Sequence, residues 1–134
     1  MNYIFIHGIG QDPSGIVSNP SSWNEVISYL PKCKNTFCPD LFSYFNNKEA
    51  NYENLYTSFV ENCKNISEPL NICGLSLGGV IALNYAIDYP QKVNSLVLIG
   101  TPYKVTKLCL IFKLQYLNFY LNLYLLKWEG IRRI

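Results

Sequence analysis

The stretch Leu70-Asn71-Ile72-Cys73-Gly74-Leu75-Ser76-Leu77-Gly78-Gly79 decides how this chain is read. Its first four residues, three of them apolar, read as a short strand bounded by Pro69 and a glycine. Val80 to Tyr89 follows as a helix that Pro90 stops. Between the two, Gly74-Leu75-Ser76-Leu77-Gly78 matches G-x-S-x-G at a strand-to-helix turn, the context that this motif requires. A serine in so sharp a turn takes a strained backbone, and its neighbours two residues away must be small. Gly74 and Gly78 meet that need, with Gly79 next in line. The turn exposes the Ser76 hydroxyl at the carboxyl end of the strand. The helix beginning there aims its free N–H groups and positive dipole end at the same spot, so that Leu77 N–H can hold a developing oxyanion. The competing reading is a glycine-rich loop with an idle serine; the strand and helix flanks favour a nucleophile.

Upstream, Tyr3-Ile4-Phe5-Ile6 is a short β-prone run that breaks at His7-Gly8-Ile9-Gly10, 69 residues before the serine. An apolar strand followed by HGxG puts backbone N–H groups, that of Ile9 foremost, where a carbonyl oxygen would be polarised. Ser22-Trp23-Asn24-Glu25 has the spacing of a capping box, and Trp23, Val26, Ile27 and Leu30 share one helical face up to Pro31. Asn35 to Cys38 reads as a strand, and Tyr52, Leu55, Tyr56, Phe59 and Cys63 repeat at helical spacing. Val93 to Ile99 is a further strand, ended by Gly100-Thr101-Pro102. Strands alternating with helices predict an α/β body, a parallel sheet of about four strands with helices on both faces.

These pieces together resemble the N-terminal portion of an α/β-hydrolase, in the broad esterase and lipase superfamily. The resemblance rests on YIFIHGIG, the Trp23 helix, CPDLF, NICGLSLGG, ALNYAIDYP and VNSLVLIGTP, and covers about residues 3–102. It implies a partial α/β-hydrolase fold with Ser76 as nucleophile and the N–H groups of Leu77 and Ile9 as the oxyanion hole. His7 would be a structural residue supporting the oxyanion loop, with Gly8, Gly10, Gly74, Gly78 and Gly79 completing the two turns. The implied reaction is hydrolysis of a small-molecule carboxylic ester or related acyl compound, with no cofactor and no metal.

The chain also departs from that pattern. The family's acid and histidine follow the serine in chain order. After Ser76 the only acids are Asp88 and Glu129, and no histidine follows His7. Asp88 lies in a helix just before Pro90, the wrong place for a triad acid. Pro39-Asp40-Leu41 lacks the glycines frequent in relatives, and Leu75 replaces their usual His or Trp. The expectation is an N-terminal hydrolase part over 1–102, truncated before its later triad residues and weak or inactive on its own.

Composition sets the outer limits. Of 134 residues, 49% are hydrophobic and 15% charged, which excludes a disordered chain. The formal charge of +2 gives no drive toward nucleic acid. Five scattered cysteines and one histidine cannot assemble a zinc site, and the N-terminus lacks a signal-peptide pattern. Reduced thiols in a cytoplasmic protein are the economical reading.

Residues 103–134 differ from the body. They carry six basic side chains against Glu129 alone, whereas 1–102 carry five lysines against eight acids. From Leu108 to Trp128 apolar residues dominate, but the longest unbroken run falls far short of the ~20 residues of a membrane span. Placed on a helix, Lys107, Gln115, Asn118, Asn122 and Glu129 fall within an arc of roughly 80°. This predicts an amphipathic tail helix whose apolar face needs a cover. A lid on the cleft, the sheet itself, a membrane surface or a partner protein bound through residues 107–129 would each supply one. The last two make a non-catalytic binding protein the alternative function.

Overall fold

The computed structural model describes residues 2–9, 19–31, 35–46, 48–66 and 69–102. Its scaffold is a sheet of four parallel strands: β1 (Asn2–Ile6), β2 (Asn35–Phe37), β3 (Leu70–Leu75) and β4 (Val93–Ile99), in the spatial order β2-β1-β3-β4. β1 pairs with β3 from Asn2↔Leu70 to Ile6↔Gly74, and β3 pairs with β4 up to Leu75↔Ile99. All strands therefore end at the same edge of the sheet, with Ile6, Leu75 and Ile99 leading into the motif loops.

Side-chain alternation along β1 divides the core. Ile4 and Ile6, fully buried, join Leu70 and Ile72 of β3 on one face. Two helices cover that face, α2 (Tyr52–Cys63) and α3 (Leu77–Asp88), with Leu55, Phe59, Cys63, Ile81 and Tyr85 packed inward. Leu55, Phe59 and Cys63 recur every four residues, so one stripe of α2 is apolar. Its start is set by Asn51, whose side chain accepts the Asn54 N–H at 2.8 Å. Each such fully buried side chain contributes about 1.5–3 kcal/mol. Phe5 faces the opposite way, and its ring lies 5.2 Å from that of the buried Trp23.

The Trp23 segment is built differently from expectation. Ser22 and Glu25 do not form the capping box. Asn19 Oδ1 accepts the Ser21 N–H at 2.8 Å, and Ser22 Oγ accepts the Asn19 N–H at 3.3 Å. Pro20, which has no N–H to satisfy, then opens a 3-10 turn, Pro20–Trp23, that leads into the short α1 (Asn24–Ser28). Asn19 takes the cap because the turn begins three residues earlier, and Ser22 is left to answer it. Val26 is consequently 46% exposed, so the four-residue apolar face is not buried as a unit.

Boundaries shift modestly elsewhere. β2 stops before Cys38, β3 runs on to Leu75, and α3 starts at Leu77 rather than Val80. β4 is, with β2, one of the two outer strands among the described residues, and its Val97, Leu98 and Ile99 are exposed. Gly10 and all of 103–134, including the amphipathic tail and its candidate surface at 107–129, lie outside the described residues. Among the described residues no helix is long and apolar enough to cross a membrane.

Candidate active site

The strand order places the site before any side chain is considered. After β1 the chain leaves for the Trp23 face, and after β3 it enters α3 on the other face. Two adjacent parallel strands whose exits diverge leave a crevice beyond their carboxyl ends, where ligands of open α/β sheets bind. The two loops at that point are His7-Gly8-Ile9 and the turn at Ser76.

Ser76 occupies the turn between β3 and α3 with φ 52° and ψ −113°, the one non-glycine positive φ among the described residues. Such a backbone costs on the order of 1–3 kcal/mol and persists only where its surroundings over-determine it. The surroundings are visible on several sides. Ser76 N–H donates to Ile99 O on β4 at 2.9 Å, and Ser76 O accepts the N–H groups of Gly79 and Val80 at 3.0 and 3.2 Å. A Cβ on Gly74 would lie 2.5 Å from Gly78 O. One on Gly78 would lie 2.6 Å from His7 O. The glycines flanking Ser76 are thus required by backbone contact, with each other and with the exit of β1. A Cβ on Gly8 would come within 3.0 Å of both Leu75 O and Ser76 Cβ, so the two loops touch at the serine. The first N–H groups of α3 have no intrahelical acceptor and carry the positive end of its dipole.

His7 is fully buried, and both ring nitrogens are engaged. Nδ1–H donates to Gly8 O at 2.8 Å, and Nε2 accepts the Leu41 N–H at 3.1 Å. That pairing describes a neutral imidazole. Burial lowers its pKa, opposed in part by the Gly8 bond and by Asp40. Asp40 Oδ1 stands 3.9 Å from Nε2 but caps its own turn, accepting the Phe42 N–H at 3.0 Å. His7 therefore joins the β1 exit to the turn Leu41–Phe45, with no lone pair left to take a proton from Ser76.

Asp88 lies at the far end of α3 from Ser76, where its Oδ2 accepts the Tyr56 hydroxyl at 2.6 Å. It ties α2 to α3. Burial, then this bond, raises the Tyr56 pKa. Ile9, also named from sequence, is half-buried and packs against the core cluster beside Gly8. Cys73, one residue before the elbow glycine, is a free thiol whose pKa burial raises. Sequence reasoning did not find the Leu41 N–H that holds His7, nor the part taken by Ile99 to Thr101. Gly100-Thr101-Pro102 reads in one dimension only as a strand terminator.

Comparison with known proteins agrees with this fold. A family model described as alpha/beta hydrolase fold matches residues 4–127. The chain is 33% identical over 104 residues to pimeloyl-[acyl-carrier protein] methyl ester esterase of Wigglesworthia glossinidia brevipalpis, covering 75% of this chain and 36% of the relative. It is 29% identical over 110 residues to human monoacylglycerol lipase ABHD6, covering 72% of this chain and 33% of that one. Among solved structures, a protein assigned as a lipase (lip1) from Acinetobacter baumannii AYE superposes with a TM-score of 0.64 at 25% identity. That match covers 86% of this chain and 40% of the other. The chain spans about a third of the length of the curated relatives it matches.

Proposed function

The chain belongs to the alpha/beta hydrolase fold family, and from that membership we propose that it is the nucleophile-bearing part of a serine hydrolase acting on carboxylic esters. Ser76 Oγ attacks the ester carbonyl, and the N–H groups of Leu77 and Ile9 receive the oxyanion. His7 and the glycines Gly8, Gly74, Gly78 and Gly79 hold the two loops in register. The single observation that carries this reading is Ser76 at φ 52° with Gly8 pressed against its Cβ. A fold retains such strain where it aims a side chain at a reacting group. The ester class follows from the relatives, one a methyl ester esterase and another a monoacylglycerol lipase.

The general base is not His7, whose nitrogens are both engaged, and no other histidine occurs in the 134 residues. An unactivated serine hydroxyl is a weak nucleophile. An oxyanion hole and binding alone sustain on the order of 10³–10⁴ over the uncatalysed reaction. The 134-residue chain therefore acylates slowly and deacylates more slowly still. With p-nitrophenyl acetate it is expected to release at most one slow equivalent of nitrophenol, and Ser76→Ala abolishes that release. Sustained turnover that survives Ser76→Ala would overturn the mechanism.

A further inference from the structure

The exit of β4 touches the elbow from the side opposite to Gly8. Ser76 N–H ends the β3–β4 ladder on Ile99 O at 2.9 Å. The next residue, Gly100, takes φ +56°, and a Cβ there would meet nothing within 4 Å. Crowding does not demand this glycine; the left-handed backbone does. That reversal carries Thr101 onto the first turn of α3. A Cβ on Gly79 would collide with Thr101 Oγ1 and would lie 2.9 Å from its Cβ and 3.0 Å from its Cγ2. The whole threonine side chain thus rests on the Gly79 backbone. Its Oγ1 is buried and makes no hydrogen bond among the described residues, so the contact acts through shape.

We infer that Gly100 and Thr101 form a clasp that positions the Ser76 turn, with Thr101 acting as a positioning residue through Gly79. This rests on the reading of Ser76 as nucleophile. Three restraints then hold the strained turn: Gly8 at the serine Cβ, Ile99 O at its N–H, and Thr101 on the helix turn whose N–H groups donate to its carbonyl. Gly79 N–H donates to Ser76 O at 3.0 Å, so a shift of Gly79 moves the serine and the Leu77 N–H together.

The test measures two quantities on the 134-residue chain: the acylation rate of Ser76 by p-nitrophenyl acetate, read by peptide mass spectrometry, and amide hydrogen exchange at Ser76. Thr101→Ala removes most of the wedge and is expected to slow acylation about tenfold, as small misplacements do, and to speed exchange at Ser76. Thr101→Val keeps the shape and is expected to restore both to within about twofold of the parent, because it replaces only the hydroxyl that makes no hydrogen bond among the described residues. A Thr101→Ala protein that is folded, with acylation and Ser76 exchange both unchanged, overturns the clasp. So does a folded Thr101→Val protein in which acylation slows and Ser76 exchange speeds as much as in Thr101→Ala. If the parent chain is never acylated at Ser76, the nucleophile reading fails, and exchange at Ser76 alone decides whether the clasp exists.

Discussion

The two ends of one sheet are built on opposite terms. At the amino ends of the strands, polar side chains satisfy one another. Asn71, almost fully buried, donates to Asn2 O at 3.2 Å, and its Oδ1 accepts Asn94 Nδ2 at 2.8 Å and Ser95 Oγ at 2.7 Å. Asn35 reaches across to Asn2 on the neighbouring strand at 3.2 Å. At the carboxyl ends, three glycines give way to backbone contacts, a serine sits at positive φ, and the buried Thr101 hydroxyl has no partner among the described residues. Satisfied polar groups stabilise the first end; backbone strain at Ser76 distinguishes the second.

Substitutions at the two ends test that division, beginning with the largest effect. Gly78→Ala drives a Cβ into Ile6 O and His7 O, two backbone atoms that cannot yield separately. Urea unfolding is expected to show a loss of about 3 kcal/mol or more, or no folded protein at all. Asn71→Ala strikes the other end and strands the partners of one buried amide. It is expected to cost about 2 kcal/mol and to leave the acylation rate of Ser76 unchanged. A matching loss of reactivity would erase the functional difference between the ends.

Acid separates the ends next. His7 is neutral in the fold with its pKa below the ordinary 6.5, so between that lowered value and pH 6.5 the unfolded chain binds more protons than the folded chain. Stability then falls as pH falls, with a limiting slope of about 1.4 kcal/mol per pH unit. His7→Gln is expected to flatten the slope in the pH range just below 6.5, whatever its own stability, in urea titrations at stepped pH. The smallest effect is the relief of strain. Ser76→Gly is expected to be more stable than Ser76→Ala by about 1 kcal/mol, because only glycine adopts this φ without cost. Equal stabilities would mean the turn stores no strain.

Much of the sheet is legible in the sequence because its signals are local. Leu70, Ile72 and Cys73 before a glycine announce β3, and glycines two residues either side of Ser76 announce the elbow. Leu55, Phe59 and Cys63 give α2 its buried stripe by spacing alone. What stayed hidden joins residues distant in the chain. The Leu41 N–H finds His7 Nε2 across 34 residues, and Thr101 meets Gly79 only after Gly100 reverses the backbone. The cap falls at Asn19 and not at Ser22 for another reason: a serine and a glutamate at capping-box spacing carry no information on which turn the chain selects. Pro20 settles that by fixing where the 3-10 turn starts.

If the strained turn makes Ser76 the acyl acceptor, peptide mass spectrometry after incubation with p-nitrophenyl acetate will find an acetyl group on Ser76 in the parent chain, accumulating because deacylation is slow. Acylation will be slower in Thr101→Ala and undiminished in Asn71→Ala. Acetylation confined to cysteine, lysine or tyrosine side chains, with Ser76 unmodified in a folded chain, would contradict that role for Ser76.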